Sequence, residues 1–296
     1  MLEWIITYKD SGHKLISFLT QRLEGKYSAR FLKRLIEHNG CQINGRTERF
    51  ASTLIGQGDH VCLLIEQASY SSSPQLETQR ILYEDEALLV YNKPAGINCD
   101  EKGILQLLKV RASSLQLVHR LDRDTTGVLI LAKQPANFRN LVNQFKQFQI
   151  QKRYEAIVDG IVAQPKGLIE NYLGKKQAYA GQTIWGSVPA SYGLYACTEW
   201  ERLKKGENAS LLACVPKTGR THQIRVHLAE MGHPILGDFQ YGKQFQCPYR
   251  PLRYLLHADE IRFHHPLTGE FLCLTAPLPD DFKIAEQKLF KGKSHK

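Results

Sequence analysis

The stretch VHRLDRDTTGVLILAK, residues 118–133, joins a dense group of charges to an apolar run. The run GVLILA is continuously apolar, which is typical of a buried strand. Five residues before it carry a charge or can take one: His119, Arg120, Asp122, Arg123 and Asp124. Because burying ions is costly unless they are paired, these residues form either a solvated turn or a functional site.

Asp122 is the carboxylate in this group with an arginine on each side, Arg120 and Arg123. Nearby cations favour the ionised form of a carboxylate. An ionised and positioned carboxylate can act as a nucleophile or as a general base. A surface turn whose charges only pair with one another would contain the same residue types. Taken alone, this stretch is compatible with both interpretations.

The composition is that of a globular protein with a basic excess. The chain has 296 residues, enough for two domains, and 43% of them are hydrophobic. Its 39 Lys and Arg against 29 Asp and Glu give a net charge of +10. This excess favours a polyanionic partner, nucleic acid first.

The cysteines and the N-terminus indicate a cytoplasmic protein. The seven cysteines are scattered without a CxxC pair, which fits neither a zinc site nor a disulfide framework. The N-terminus lacks the basic start and apolar core of a signal peptide, and we find no apolar run of membrane-spanning length. We therefore expect no membrane association.

The first sixty-odd residues predict two helices followed by short strands. Leu15, Ile16, Leu19 and Leu23 recur at helical spacing, and Ser28 can cap a second helix. The apolar face of that second helix comprises Phe31, Leu32, Leu35 and Ile36. Gly40 is expected to end it in the left-handed conformation, and Asn44-Gly45 predicts a turn between strands.

The second helix also carries Arg30, Lys33 and Arg34 on its other face, where they form either a solvated surface or a phosphate-binding one. The pattern SARFLKRLIEHNGCQINGR…GDHV resembles a small RNA-binding module, the alpha-L or S-four-like domain. The resemblance implies that these three residues contact RNA phosphates. We assign residues 1–66 to this domain and the serine-rich segment 67–79 to a linker.

From residue 80 to residue 296 we expect one catalytic domain of the α+β class. Strand-like segments follow one another with few helices between them, which predicts a mixed, largely antiparallel sheet. NFRNLVNQFKQ, residues 137–147, is the clearest helix. HQIRVHL, residues 222–228, alternates polar and apolar side chains and predicts a strand with Arg225 on its polar face.

The order of motifs across this domain closely resembles the RluA-type family of pseudouridine synthases. The resemblance is carried by NKPAG (92–96), HRLDRDTTG (119–127), QKRYEAIV (151–158), GRTHQIRVHLAEMGHPILGD (219–238) and LHADEIRFHHPLTGE (256–270). One departure is Thr126, where the family usually has serine; the hydroxyl is kept and a methyl group is added.

The resemblance implies a role for four residues. Asp122 is the catalytic carboxylate, acting as nucleophile or as base, and Arg225 is the cation paired with it. Tyr154 packs against the uracil, and Arg120 fills the base stack when the uridine is turned out. The implied reaction is an isomerisation that needs no cofactor.

The resemblance also implies an RNA substrate, with large-subunit ribosomal RNA preferred and transfer RNA as the other candidate. We expect a monomer. No metal is expected, because the histidines lack metal-site spacing and have no cysteine partners. These histidines, His119, His222, His227, His233 and His257, are interpreted as hydrogen-bonding residues.

Two other functions stay open at this point. One is a non-catalytic RNA-binding or ribosome-assembly factor in which Asp122 is structural. The other is a carboxylate-based RNA hydrolase, which would need a second acid or a metal near Asp122; Asp124 is the nearest acid in sequence.

Overall fold

The computed structural model describes residues 2–23, 26–37, 40–48, 50–63, 77–112, 114–179, 182–242 and 244–290. Contacts divide the chain into a smaller unit, Met1–Ser73 with Arg250–Arg253, and a larger unit, Pro74–Tyr249 with Tyr254–Lys296. Most of the predicted linker, residues 67–76, lies outside the described residues. In the described part of the chain, no helix is long and apolar enough to cross a membrane.

The smaller unit packs two helices on a short sheet. Its elements are β1 (Leu2–Ile5), α1 (Leu15–Arg22), α2 (Ala29–Glu37), β2 (Cys41–Ile43), β3 (Arg46–Thr47) and β4 (His60–Leu63). The strands are antiparallel and run in the order β1-β4-β2-β3. Leu19, Leu32 and Ile36 are fully buried between the helices and the sheet, as the apolar spacing predicts.

The start of α2 follows the sequence prediction, whereas its end differs. Ser28 Oγ accepts a hydrogen bond from the Phe31 amide at 3.2 Å, so the predicted cap is confirmed. The predicted left-handed Gly40 is wrong, because Gly40 has no positive φ angle. A Cβ atom at this position would instead overlap the side chain of Leu35, and the Gly40 amide donates to the Leu35 carbonyl at 2.7 Å. Glycine is needed here for close packing.

The larger unit is built on one extended sheet. Its strands are β5 (Ile81–Glu84), β6 (Leu88–Lys93), β7 (Gln116–Leu117), β8 (Thr126–Ala132), β9 (Gln151–Asp159), β10 (Lys166–Tyr179), β11 (Gln182–Ser187), β12 (Leu194–Lys205), β13 (Ala209–Pro216), β14 (Leu256–His264) and β15 (Phe271–Thr275). Its helices are α3 (Gln106–Leu108), α4 (Pro135–Lys146), α5 (Gln223–Glu230) and α6 (Asp280–Leu289).

The strand order is β11-β10-β12-β13-β9-β14-β8-β6-β5, with β15 beside β14 and β7 beside β8. Strands β8 and β14 pair in parallel, and the other pairs formed by the described residues are antiparallel. This arrangement confirms the predicted mixed, largely antiparallel sheet.

Strand β8 explains the apolar run that follows the charged loop. Val128 and Ile130 pack in the cluster that includes the apolar face of α4. Leu129 and Leu131 point to the other face, into a cluster with residues of the 97–108 segment. Both faces are therefore covered, and every residue of β8 is buried.

Gly127 lies at the start of β8, where this strand approaches β14 most closely. Its φ angle is +111°, and a Cβ atom would overlap the backbone of Ala258. The parallel pairing of β8 with β14 at Gly127 and Ala258 therefore depends on a residue without a side chain.

The predicted strand at residues 222–228 is wrong, because residues from Gln223 onward form helix α5. All six side chains from Gln223 to Leu228 are buried, so this part of the helix has no exposed face to produce an amphipathic period. The polar ones among them are buried because they have hydrogen-bonding partners; Gln223, for example, donates to the Cys197 carbonyl at 2.9 Å. The alternation of polar and apolar residues in this segment therefore reflects polar side chains that form hydrogen bonds inside the protein, and it does not indicate a strand.

Candidate active site

The loop that carries Asp122 is held from behind by the NKPAG segment. Lys93 is fully buried, and its Nζ donates to the carbonyl oxygens of Pro94, Ile97 and Arg123, each at 3.0 Å. The Gly96 amide also donates to the Arg123 carbonyl at 2.8 Å. These bonds fix the backbone next to Asp122 but do not involve its side chain.

His119 anchors the other end of the same loop. Its Nε2 accepts the Ile130 amide of β8 at 3.0 Å, and its ring lies 5.0 Å from that of Phe145. Burial, and then the charge of Lys152, lower the pKa of His119 to about 3. The imidazole is therefore neutral and able to accept this bond.

The loop lines a cleft of about 810 Å³ in the larger unit. Other walls come from the C-terminal part of α4, from the start of β9 and from the segment that enters α5. The cleft is lined by the three predicted catalytic residues, Asp122, Tyr154 and Arg225, and by the predicted RNA-binding residue Arg120. These four predicted residues therefore share one cavity.

Asp122 and Arg225 form an ion pair although they are far apart in sequence. Arg225 Nη1 lies 3.2 Å from Asp122 Oδ2. The Asp122 side chain is 28% exposed, whereas that of Arg225 is 5% exposed. The guanidinium that pairs with Asp122 thus comes from α5, while the Nε of the neighbouring Arg123 donates to the Gly96 carbonyl at 3.3 Å.

Arg225 is surrounded by partners that the sequence reasoning missed. Asp238 accepts from its Nε at 2.6 Å and from its Nη2 at 2.9 Å, and Gln240 accepts from Nη2 at 2.8 Å. The guanidinium carbon also lies 4.3 Å from the centre of the Tyr254 ring and 5.0 Å from that of Tyr241. Such contacts fix a guanidinium in one orientation.

The charge of Arg225 is stabilised by the same neighbours. Burial lowers its pKa, but the Asp238 carboxylate, with Tyr254 and Asp122, raises the pKa well above the ordinary value. A signal for Asp238 was available, since it is the acid in the HPILGD segment of the motif containing Arg225. Tyr241 and Tyr254 gave no comparable sequence signal.

Tyr154 reaches the cleft from β9. It is half-buried and packs against two apolar clusters of the larger unit. Burial, followed by the charge of Asp122 and the Cys99 thiol, raises the pKa of its phenol above the ordinary value. The ring is therefore a neutral aromatic surface next to a charged pair.

Two further titratable groups of the cleft were not predicted as site residues. Lys152 Nζ donates to the Thr218 carbonyl at 3.1 Å, and burial lowers its pKa to about 8. His222 Nε2 lies 3.8 Å from Asp122 Oδ2, and its Nδ1 lies 2.7 Å from the Tyr241 hydroxyl. The sequence pattern indicates His222 only as a hydrogen-bonding residue.

The other histidines of that group also have hydrogen-bonding partners. His227 bonds to Thr198 and Asn171, and His233 bonds to the Asp159 carbonyl. His257 Nδ1 lies 2.8 Å from the hydroxyl of Thr126, so the departure from serine keeps the hydroxyl function. Across the described ranges, no group of three or more His, Cys, Asp and Glu residues is arranged to hold a metal ion.

The remaining predicted RNA-binding residues belong to the smaller unit. Lys33 is exposed on α2. Arg30 and Arg34 lie on the same helix, and their side chains fall outside what the structure describes. Arg120, in the larger unit, is exposed along the lining of the cleft.

Comparison with known proteins identifies the class of enzyme to which this cleft belongs. The RNA pseudouridylate synthase family matches residues 87–230. The structure resembles human RNA pseudouridylate synthase domain containing 4, with a TM-score of 0.61 and 27% identity over 72% of this chain and 93% of that one. It also resembles human RNA pseudouridylate synthase domain containing 1, with a TM-score of 0.59, 28% identity and coverage of 67% and 82%.

Relatives of nearly the same length narrow the class. Ribosomal large subunit pseudouridine synthase C of Haemophilus ducreyi is 33% identical over 306 residues, 96% of this chain and 94% of that protein. The protein of the same name from Escherichia coli (strain K12) is 33% identical over 308 residues, with coverage of 96% and 95%. The chain belongs to the RluA-type family of RNA pseudouridine synthases, and it is therefore an isomerase that acts on RNA.

Proposed function

We propose that this enzyme converts uridines of large-subunit ribosomal RNA to pseudouridine, with Asp122 as the catalytic residue. The observation that carries the proposal is the pairing of a partly exposed carboxylate with a nearly buried guanidinium in a cleft large enough for a nucleotide. The choice of RNA is supported by the relatives, which are named as large-subunit ribosomal enzymes.

The proposed reaction rearranges the bond between the base and the ribose. The bond between uracil N1 and ribose C1′ breaks, the base turns, and C5 is joined to C1′. The C5 hydrogen leaves as a proton and N1 regains one, so the product is an isomer of the substrate and no oxidant or reductant takes part. Asp122 acts on the ribose, either by attacking C1′ or by removing a ribose proton. Arg225 pairs with that carboxylate and aims it.

Tyr154 and Arg120 are proposed to handle the base. A uridine cannot be rearranged inside a helix, so it must be extruded into the cleft. The ring of Tyr154 offers uracil an apolar face that tolerates its rotation, because the face does not require a fixed donor pattern. Arg120 is exposed, and a planar guanidinium can occupy the gap left in the base stack.

The smaller unit is proposed to be an alpha-L RNA-binding domain at residues 1–66, joined through a linker at 67–79 to the catalytic domain at 80–296. Arg30, Lys33 and Arg34 would bind phosphates without reading sequence. We further propose that the enzyme acts as a monomer in the cytoplasm. All seven cysteines are free thiols, which fits a reducing compartment.

The substrate can be tested by mapping pseudouridines in total RNA from a strain that lacks this gene. We expect one or more positions of large-subunit ribosomal RNA to lose the modification and to regain it when the gene is restored. Loss confined to transfer RNA would contradict the proposed substrate. Unchanged activity of the purified enzyme after exhaustive chelation, measured on a short unstructured RNA, would support a reaction without metal.

A further inference from the structure

His222 occupies a strained position at the entrance to α5. Its φ angle is +57°, in the left-handed region that non-glycine residues seldom adopt. The surrounding structure must maintain this conformation at a cost, and such residues concentrate at functional sites. The side chain of His222 is 19% exposed and lines the cleft.

The hydrogen bonds around Tyr241 favour one tautomer of His222. The Trp185 amide can only donate, and it lies 3.3 Å from the Tyr241 hydroxyl oxygen. That oxygen therefore accepts from Trp185, and its own proton is available to His222 Nδ1 at 2.7 Å. Burial raises the pKa of Tyr241 to about 12, so the phenol retains this proton.

A neutral ring that accepts this proton at Nδ1 carries its own proton on Nε2. Burial, followed by the charge of Arg225, lowers its pKa, although Asp122 and Asp238 act in the opposite direction. With Nδ1 as the acceptor, Nε2–H is the donor, and it faces Asp122 Oδ2 at 3.8 Å. This separation is longer than a hydrogen bond, and such contacts commonly shorten when a substrate closes the site.

We propose that His222 is a positioning residue for Asp122: together with Arg225 it holds Oδ2 of the carboxylate and leaves Oδ1 to the ribose. The geometry supports this, since Arg225 Nη1 is already 3.2 Å from the same oxygen. Two donors on one oxygen fix the plane of the carboxylate. The inference rests on the proposed role of Asp122.

The first test compares two substitutions that separate the functions of the ring. His222→Asn keeps a side chain that tolerates the left-handed backbone and can still bond Tyr241, but it is too short to reach Asp122. His222→Gln places an amide donor near the position of Nε2. His233→Asn is the control, because His233 also bonds through Nδ1 but does not line the cleft.

We expect the single-turnover rate at saturating RNA to fall about 10- to 100-fold in His222→Asn, the range for one hydrogen bond to a charged group. The Kd for RNA and the Tm should stay near those of the unaltered protein. His222→Gln should recover much of the lost rate, and His233→Asn should leave it nearly unchanged. A full rate in His222→Asn, or no recovery in His222→Gln, would overturn the positioning role.

The second test reads the tautomer directly and does not depend on the stability of a variant. Nitrogen-15 NMR of histidine-labelled protein at neutral pH should contain a signal from a neutral ring protonated on Nε2 that belongs to His222. His222→Gln should remove this signal, and Tyr241→Phe should perturb it. A proton on Nδ1, or an imidazolium, would contradict the proposal. Failure of the function itself is distinguishable: turnover by Asp122→Asn would reject the role of Asp122, whereas an inactive Asp122→Asn with a fully active His222→Asn would reject only this inference.

Discussion

The two partners of the ion pair in the cleft are held in different ways. Asp122 lies on an irregular loop whose backbone is fixed by the buried ammonium of Lys93, and its side chain is 28% exposed. Arg225 lies on a helix, and its side chain is fixed by Asp238 and two aromatic rings until only 5% is exposed. The reacting group thus stays accessible, while the counter-charge is immobilised.

Substitutions of the two partners should therefore have different effects on stability and on the reaction. Changing Asp122 leaves Arg225 paired with Asp238, so the reaction should stop with little loss of stability. Changing Asp238 removes the carboxylate that accepts two hydrogen bonds from the buried Arg225 guanidinium, so stability and reaction should decline together. Substitutions on each side can test this contrast.

The largest effect is expected for Asp122→Asn. The amide keeps the shape of the side chain but can neither attack the ribose nor take a proton as a carboxylate does. We expect no product above background, with RNA affinity within about threefold because binding is shared by many other contacts. Tritium release from RNA labelled at uridine C5 measures the reaction. Appreciable turnover by this variant would reject Asp122 as the catalytic residue.

Asp238→Asn should damage both properties. The variant removes the charge that accepts two hydrogen bonds from Arg225, and breaking a buried ion pair in this way typically costs about 3–5 kcal/mol in the free energy of unfolding. Denaturant unfolding measures that loss, and tritium release should show a reduced rate at a temperature where the variant is folded.

Asp280→Asn provides the matched control for this change. Asp280 is 90% exposed and lies 3.5 Å from Lys283, so losing its charge should alter stability by less than about 1 kcal/mol. If Asp238→Asn proved as mild as Asp280→Asn, Arg225 would not depend on Asp238, and the contrast between the two sides would disappear.

The contrast also explains what the sequence could predict. The loop side was predictable because charges stand directly before a continuous apolar run, and β8 is indeed buried on both faces. The prediction that Asp122 and Arg225 form a pair depended on the family resemblance, since the two residues are far apart in the chain. The strand predicted for residues 222–228 failed because every side chain from Gln223 to Leu228 is buried, which leaves no periodic exposure to read.

The partners of Arg225 were harder to predict, for a physical reason. Tyr241 and Tyr254 flank the guanidinium through ring faces, and sequence spacing carries no information on such contacts. The tautomer of His222 likewise depends on a hydrogen bond from the backbone of Trp185, which only the folded structure reveals.

A smaller effect is expected for the pH dependence of stability on the loop side. Burial holds the pKa of His119 at about 3, whereas an unfolded histidine has a pKa near 6.5. Between these values the unfolded chain binds more protons, so stability falls with decreasing pH, by at most about 1.4 kcal/mol per pH unit from this residue. Denaturant unfolding between pH 7 and pH 5 should show a shallower decline in His119→Asn than in the unaltered protein.

The exposed His264 supplies the control for removing an imidazole, as His264→Asn. Equal slopes in the two variants would mean that His119 does not carry the predicted proton linkage, and that the anchor between the loop and β8 is less important than its bond to the Ile130 amide indicates.

The smallest effect on the reaction rate is expected from substitutions in the smaller unit, because its basic residues are proposed to bind RNA and not to act on the ion pair. If Arg30, Lys33 and Arg34 bind phosphates, replacing them with Ala should weaken RNA binding and lower the log–log salt slope by about 0.7 to 0.9 for each phosphate that is no longer bound. The single-turnover rate at saturating RNA should change little, because a phosphate contact stabilises substrate and transition state alike. Replacing Arg262, Lys283 and Lys288, which do not line the cleft, removes the same charge and provides the control. An unchanged salt slope with a collapsed rate would mean that the α2 residues act in catalysis, and the division between a binding unit and a reacting cleft would then be wrong.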